Sequence, residues 1–366
     1  MASQSKKYAR LSWTDSLGIL LALIPLPAVL LWSVLTKTHA SYNSERTLKR
    51  IIGDSALRYI ICSLSVPQLQ ALFGTTLTTY SKWSKAANLP LVIDELGQDA
   101  RLLWIGPKRL EKVVLFVHGG GFLLPPGDMA LSFWQYVQLE LEKQNIEVGF
   151  ALLNYTLSPP ASFPTPLKQA VLAVNFLLAT GVTPQNLQLA GDSAGGNLVL
   201  QVLSHILHPR HGVPTLNLPR PSPLRGMLLL SPYTNLSADS KSHTENDSND
   251  ILTQATLRDW GARILADVPD MSRPFAEAVR APAGWFDGAD EVVERVLVTA
   301  GSAEILRDDV VAVAGALKKS HKKTELVVQK GGLHEDMFLD FLVGERNVGS
   351  LTPLTVEWLA AGFSSV

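Results

Sequence analysis

A mostly parallel α/β sheet with helices on both faces is the fold class that the sequence predicts. After Pro90, short and almost wholly apolar segments alternate with longer helical stretches. Strands without polar positions are buried on both faces, which is typical of parallel sheets. Hydrophobic residues make up 46% of the 366 residues, so we expect a large apolar core.

The composition excludes several classes of protein. A net charge of -1 gives no basic surface for a nucleic acid, so we expect no such partner. Cys62 is the single cysteine, and it can form neither an internal disulfide nor, by itself, a thiolate metal site.

Eight apolar segments are the candidate strands. In chain order they are LVI from 91, RLLWI from 101, VVLFV from 113, GFALL from 149, LQLA from 187, MLLL from 227, RVLVT from 295 and ELVVQ from 325. The stretches between them predict helices around 129–143, from Pro164, after Ser193, around 255–266, from about Ala303 and near 354–362. The alternation is interrupted only by about sixty residues at 231–290, which predict an insertion that caps one face of the sheet.

The N-terminal region contains an apolar run. Residues 17–35 carry no charge, and a helix of this length, rising about 1.5 Å per residue, nearly spans a bilayer core. We therefore predict a tail over 1–16 and a transmembrane helix over 17–36. A cleaved signal peptide and a buried helix are the alternatives.

The rest of the chain predicts two further parts. Residues 37–90 are expected to form a polar tether followed by N-terminal cap helices. Residues 91–366 are expected to form the catalytic domain, including the cap insertion.

The candidate nucleophile is Ser193. Residues 191–195 read GDSAG, which fits G-x-S-x-G, and they lie between an apolar strand and a helical segment. The glycines permit a tight turn that exposes the serine hydroxyl at the helix N-terminus. A chance match in a glycine-rich turn is the alternative.

A second glycine-rich segment supports this interpretation. HGGGF at 118–122 follows the VVLFV strand. Acyl transfer needs N–H donors for a developing oxyanion, and we expect them from the backbones of Gly120, Gly121 and Ala194. We expect His118 and Gly119 to support this loop. A phosphate cradle is the alternative, but no G-K-[ST] spacing follows.

His334 is the candidate base among the eight histidines. It follows the last predicted strand, at the carboxyl edge of the sheet where ligands of open α/β folds bind. His321 precedes that strand, at the wrong edge. His205, His208 and His211 lie at the far end of the helix that follows Ser193, and no carboxylate accompanies them as a metal ligand.

Glu304 is the candidate acid. It is the first carboxylate after the RVLVT strand, where it would orient the histidine tautomer and stabilise the imidazolium. Asp308 is the alternative, and we expect Asp308 and Asp309 to lie on an exposed helix face.

These motifs resemble one enzyme family. HGGGF from 118, GDSAGGN from 191, ILRDD from 305 and GGLHEDMF from 331 are similar to the hormone-sensitive-lipase-like branch of the α/β-hydrolases. Together with an N-terminal anchor and a glutamate acid, they resemble fungal steryl acetyl hydrolases and related membrane-anchored esterases.

The resemblance implies an α/β-hydrolase fold over about 90–360, with a cap built from 37–90 and 231–290. Two positions depart from the family pattern. Thr156 replaces an arginine that usually forms an ion pair, and Glu335 follows the histidine where glycine is common.

The function that we expect is hydrolysis of a small lipophilic ester, an acetylated sterol or a secondary metabolite, by Ser193, His334 and Glu304. No metal and no cofactor is needed. An acyltransferase or cyclase that uses the same residues is one alternative, and a catalytically degenerate membrane-bound binding protein is another. We expect a single-pass membrane protein of the endoplasmic reticulum, and the oligomeric state is left open.

Overall fold

An eight-stranded sheet lies at the centre of the computed structural model, which describes residues 8–218 and 222–364. The strands are β1 (Ile93–Gly97), β2 (Ala100–Ile105), β3 (Val113–Val117), β4 (Gly149–Asn154), β5 (Leu187–Asp192), β6 (Gly226–Leu230), β7 (Val296–Gly301) and β8 (Thr324–Gln329). Their spatial order is β1-β2-β4-β3-β5-β6-β7-β8. β2 runs antiparallel to β1 and β4, and the other pairs are parallel. The predicted fold class is confirmed.

Fifteen α-helices accompany the sheet in the described part of the chain. They are α1 (Trp13–Leu23), α2 (Leu26–Lys37), α3 (Leu48–Ser63), α4 (Val66–Phe73), α5 (Thr76–Ala86), α6 (Asp128–Lys143), α7 (Thr165–Ala179), α8 (Ser193–Leu207), α9 (Lys241–Glu245), α10 (Gln254–Leu265), α11 (Arg273–Ala276), α12 (Ala289–Val292), α13 (Arg307–Ser320), α14 (Asp336–Leu342) and α15 (Leu351–Ser364).

The sheet separates two apolar cores. Successive side chains of a strand point to opposite faces, so Leu115 of β3 belongs to the core that includes α7, α8 and α13, whereas Phe116 belongs to the core that includes α6 and α15. On the second face the rings of Phe116 and Trp134 lie 5.0 Å apart. Burial on both faces explains why the strands contain almost no polar residues.

The apolar N-terminal segment is helical from Trp13 to Lys37 and is long and apolar enough to cross a membrane. It is divided at Ile24 and Pro25 into α1 and α2, because proline cannot donate a helical hydrogen bond. Of the predicted tail, residues 1–7 lie outside the described residues and 13–16 belong to α1.

Both halves of this segment contact the body. In α1, the Ala22 carbonyl accepts from the Tyr59 hydroxyl at 2.8 Å and the Asp15 carbonyl accepts from the Gln68 amide at 2.9 Å, while α2 packs along α3. The segment therefore lies along α3 and α4.

Residues 37–50, predicted as a polar tether, are packed against the catalytic domain. Arg46 forms an ion pair with Asp336 at 2.5 Å, and the buried Arg50 pairs with Asp54 at 2.8 Å, with Asp336 at 2.8 Å and with Asp340. These buried charges are satisfied by one another, which removes the cost of an unpaired charge.

The cap insertion is also more buried than its polar sequence indicates. Within residues 237–250, the side chains of Ser242, His243 and Asp250 have no exposed surface. Ser242 donates to the Ile305 carbonyl at 2.8 Å. Several polar residues of this run are therefore in the interior, where they bind the loop after β7, while others such as Lys241 and Thr244 face solvent.

Candidate active site

Ser193 lies at the turn between β5 and α8. Its φ angle is +47°, in the left-handed region that non-glycine residues seldom adopt outside functional turns. A Cβ at Gly191 or Gly195 would clash with backbone atoms, so only glycine permits the tight turn at these two positions. The turn holds the Ser193 side chain over the carboxyl end of the sheet.

The glycine-rich loop passes close to this turn. The Gly119 N–H donates to Asp192 Oδ2 at 2.9 Å. Gly120 and Gly121 have φ angles of +96° and +64°, and both line the pocket that contains Ser193. The predicted donor residues are thus on the same side of the sheet as the serine.

His118 is buried beneath this loop. Its Nδ1 lies 2.7 Å from the Gly119 carbonyl oxygen, its Nε2 lies 3.0 Å from Thr76 Oγ1, and its ring stacks on Tyr155. Burial lowers the pKa of His118 to about 4, so the ring is neutral. These contacts are typical of a histidine that supports the glycine-rich loop structurally.

His334 and Glu304 are joined by a short hydrogen bond. His334 Nδ1 lies 2.7 Å from Glu304 Oε1, and both side chains are buried. The second glutamate oxygen, Oε2, accepts from Ser231 Oγ at 2.9 Å and from the Gly301 N–H at 2.7 Å. Three donors, from His334, Ser231 and Gly301, therefore fix the Glu304 carboxylate beside the imidazole ring.

Asp250 is a member of the site that the sequence analysis missed. Its buried carboxylate accepts from the His334 N–H at 2.9 Å and from the Ile305 N–H at 2.7 Å. Burial raises the pKa of Asp250 to about 6. Asp250 of the cap thus joins the loop that carries His334 to the loop that carries Glu304. Its only sequence signal is its place at the end of a polar run.

Glu335 was noted in the sequence only as a departure from the family pattern. Its φ and ψ angles are +54° and +37°, a left-handed conformation in which glycine carries no steric penalty. Its Oε1 lies 3.6 Å from His334 Nε2, and its carboxyl group is within hydrogen-bonding reach of that of Asp192.

An apolar pocket of about 750 Å³, including its open mouth, contains these groups. Ser193, His334, Glu335 and the three loop glycines line its floor. Its walls are apolar and come from Leu57, Ile61, Phe73, Ile251, Leu252, Trp260 and Phe338. The walls belong to α3, α4, the cap insertion and α14.

The other candidate residues lie elsewhere. His205 and His208 contact the carbonyl groups of Pro214 and Trp285, and His321 contacts that of Val293. Within 8–218 and 222–364 no group of three or more histidine, cysteine or acidic side chains is arranged for a metal.

The two aspartates after Glu304 are not on an exposed face. Asp309 is buried and accepts from Asn235 at 3.0 Å, while Asp308 accepts from the Ser242 N–H at 2.9 Å. The expectation of an exposed face is wrong, because the cap insertion covers this side of α13.

Thr156, which replaces the family arginine, uses a neutral partner. The Thr156 N–H donates to Gln169 Oε1 at 2.8 Å, and Gln169 Nε2 lies 2.8 Å from Thr156 Oγ1. Two hydrogen bonds to one amide therefore stand in the place of an ion pair.

Comparisons with known proteins agree with this architecture. The family described as alpha/beta hydrolase fold matches residues 114–338, more than half of the chain. An acetyl-hydrolase of Streptomyces hygroscopicus is 30% identical over 223 residues, which cover 59% of this chain and 66% of the relative. A putative steryl acetyl hydrolase of Schizosaccharomyces pombe is 24% identical over 64% of this chain and 62% of its own length.

Solved structures show the same fold. An esterase from the bacterial hormone-sensitive lipase family superimposes with a TM-score of 0.63 at 21% identity, covering 87% of this chain and 98% of that one. The chain spans about two thirds or less of the curated relatives it matches. The resemblance predicted from the HGGGF and GDSAGGN segments is confirmed, and the chain belongs to the α/β-hydrolase family.

Proposed function

We propose that the protein is a serine esterase that cleaves a lipophilic carboxylic ester through an acyl-enzyme. The observation that carries the proposal is the pocket floor, which is lined both by Ser193, on a left-handed turn, and by His334, which is hydrogen-bonded to Glu304 at 2.7 Å. Acetyl-hydrolase and esterase relatives support the same reaction class.

In the first step, Ser193 Oγ attacks the ester carbonyl carbon and its proton passes to His334 Nε2. Glu304 keeps Nδ1 protonated and stabilises the imidazolium. The carbonyl oxygen becomes an oxyanion, for which the Gly120, Gly121 and Ala194 N–H groups are the donors.

The intermediate then collapses. The bond from the carbonyl carbon to the alcohol oxygen breaks, and the alcohol leaves with the proton held on Nε2. In the second half-reaction a water attacks the carbonyl carbon of the acyl-enzyme and gives a proton to His334 Nε2. The bond from this carbon to Ser193 Oγ then breaks, Oγ takes the proton from Nε2, and the carboxylic acid leaves.

The pocket walls support a lipophilic substrate. Apart from Asp192, Ser193, His334 and Glu335, every side chain that lines the pocket is apolar. Trp260 covers Gly121 so closely that a Cβ there would meet its ring. Burial of an alkyl or ring system contributes about 25 cal/mol per Å² of apolar surface. An acetylated sterol or a similar secondary metabolite fits this chemistry.

The test is an acyl-chain-length series of p-nitrophenyl esters, together with a sterol acetate, on the full chain in detergent. We expect saturable hydrolysis of at least one ester, and a loss of about 10⁴-fold or more in Ser193→Ala, because removing the nucleophile removes the acyl-enzyme. Hydrolysis at an unchanged rate in Ser193→Ala would contradict the proposal. So would a wild-type protein that neither hydrolyses these esters nor reacts with a fluorophosphonate.

We further propose that the protein is held at a membrane by α1 and α2. Large apolar side chains of this segment are exposed, among them Leu20, Ile24, Leu31 and Leu35. Helix α3 lies between this segment and the pocket, since its Tyr59 contacts α1 while its Leu57 and Ile61 line the pocket. A lipophilic ester dissolved in the bilayer is therefore delivered near the pocket.

Liposome flotation tests this attachment. We expect the full chain to float, and the triple variant Leu20→Ser, Leu31→Ser, Leu35→Ser to lose most of this binding. Leu139→Ser with Met271→Ser removes exposed apolar side chains elsewhere and serves as the control. Equal flotation of both variants would contradict the proposal.

Alkaline extraction and protease protection of microsomes test the predicted single-pass topology in the endoplasmic reticulum.

A further inference from the structure

Two carboxyl groups face the side of His334 opposite to Glu304. Glu335 Oε1 lies 3.6 Å from His334 Nε2, the atom that receives the proton of Ser193. A Cβ built at Gly119 would meet Glu335 Oε1, Asp192 Oδ2 and Ser193 Cβ within 3.0 Å. The two acids and the nucleophile therefore converge on one small volume.

The hydrogen bonding of Asp192 requires a proton between the two acids. Asp192 Oδ2 accepts from the Gly119 N–H at 2.9 Å, whereas the buried Oδ1 has no donor among the described residues while both acids are ionised. A proton on Glu335 turns its carboxyl group into a hydrogen-bond donor to the Asp192 carboxylate. Burial raises the pKa of Asp192 to about 6 and that of Glu335 well above its usual range, and the neighbouring Asp192 raises the pKa of Glu335 further.

The strained backbone conformation of Glu335 indicates that its side chain has a function in the site. A left-handed conformation is disfavoured for a non-glycine residue, because its Cβ crowds the following carbonyl oxygen. Glycine at this position would remove the cost, and no helix cap hydrogen bond of the Glu335 side chain offsets it. Such strain is typical of active sites, where the side chain contributes more than its conformation costs.

We propose that Asp192 and Glu335 share one proton and hold a single negative charge against Nε2 of His334, which makes Glu335 a positioning residue for the general-base step. The inference rests on the proposed function, since His334 is the base only if Ser193 is the nucleophile.

The charged groups around His334 set the sign of the effect. Glu304 contacts Nδ1 from the loop after β7, Asp250 of the cap accepts from the His334 N–H, and the Asp192–Glu335 pair faces Nε2. Burial opposes the charged ring, but the acids outweigh it and raise the pKa of His334 to about 9. Tyr155 also lies near the pair, but its hydroxyl donates to the His118 carbonyl.

The consequence is a reaction that is favoured at alkaline pH. The base must be neutral to accept the proton of Ser193, so kcat/KM rises with pH until His334 has lost its proton. In return, the charge at Nε2 stabilises the imidazolium that forms in the transition state.

The test compares the pH dependence of kcat/KM in three proteins. Glu335→Gln still donates to Asp192 but removes the charge nearest Nε2, so the midpoint of the acid limb falls by about one pH unit. Asp192→Asn still accepts from Gly119 but confines the charge to Glu335, so the midpoint rises. Opposite shifts of the midpoint in the two variants support a proton shared by Asp192 and Glu335. Unchanged midpoints, or shifts of both variants in the same direction, overturn it.

A second measurement does not depend on turnover. In Ser193→Ala protein labelled with ¹⁵N-histidine, the His334 titration is followed by NMR with and without Glu335→Gln. The same downward shift is expected. If the shift occurs but the wild-type protein hydrolyses no ester, the proposed function fails and the shared proton of Asp192 and Glu335 is still supported. If the shift does not occur, the shared proton is overturned.

Glu335→Gly separates the charge from backbone strain. We expect its melting temperature to rise while the pH midpoint falls. Gln98→Gly relieves the same left-handed strain at an exposed position with a φ of +50°, and it is expected to leave the midpoint unchanged. A Glu335→Gly variant with the wild-type midpoint would overturn the proposal.

Discussion

The two sides of the pocket are built differently. On the sheet side, polar groups at the ends of β5, β7 and β8 are held by hydrogen bonds, such as the 2.7 Å contact between His334 and Glu304. On the cap side the lining is apolar, and Asp250 supplies the polar link to the sheet. In the proposed esterase, the sheet edge therefore carries out the reaction, while the cap selects the ester that reaches it.

The largest effect that separates the two sides is expected at Glu304. The amide of Glu304→Gln has only one acceptor oxygen. If this oxygen accepts from Ser231 and Gly301, the amide nitrogen faces Nδ1 of His334 and cannot accept its hydrogen; in the opposite orientation, the nitrogen faces the two donors Ser231 and Gly301. We expect kcat to fall by about 10³-fold with little change in KM, because the imidazolium loses its partner.

Steady-state kinetics check this prediction. Asp308→Asn, which changes the next carboxylate in the chain, is the control and is expected to keep wild-type kcat. An equal loss in both variants would mean that Glu304 is not the acid.

A smaller effect is expected where the cap joins the sheet. Asp250→Asn places an amide where two N–H groups of His334 and Ile305 need acceptors, so one donor stays unsatisfied. We expect a loss of about 1 to 3 kcal/mol in the free energy of unfolding. The kcat is expected to fall about tenfold, since the histidine loop is less firmly held.

Urea unfolding and kinetics on the same samples measure both quantities. Asp247→Asn, in the same loop but bonded to the Gln254 N–H, is the control for kcat. Wild-type values of stability and kcat in Asp250→Asn would show that the cap contributes no polar support.

The smallest effect on the reaction is expected from the cap wall. Trp260→Ala enlarges the pocket above Gly121 and removes apolar contacts. We expect KM for the preferred ester to rise several-fold and the optimum to move toward longer acyl chains, while kcat changes less.

The chain-length series measures this shift. Trp285→Ala removes the same volume beside His208, outside the pocket, and serves as the control. A change in kcat alone for Trp260→Ala would assign the tryptophan to the reaction rather than to substrate choice.

The sequence determined the sheet and much of the candidate site on local grounds. Apolar strands such as Val113–Val117 and Leu187–Asp192 carry a clear pattern because both faces are buried. Ser193, His334 and Glu304 could be chosen from short motifs and from their places after strands, since the carboxyl ends of parallel strands meet at one edge.

Only the tertiary structure decided the contacts between distant segments. Asp250, the partners of Arg50, and the meeting of Glu335 with Asp192 join residues that are far apart in the chain. No periodicity encodes such pairs, because burial of a polar side chain depends on which other segment supplies its hydrogen bonds. The polar residues 237–250 carry no sequence pattern of burial, yet the structure places several of them in the interior.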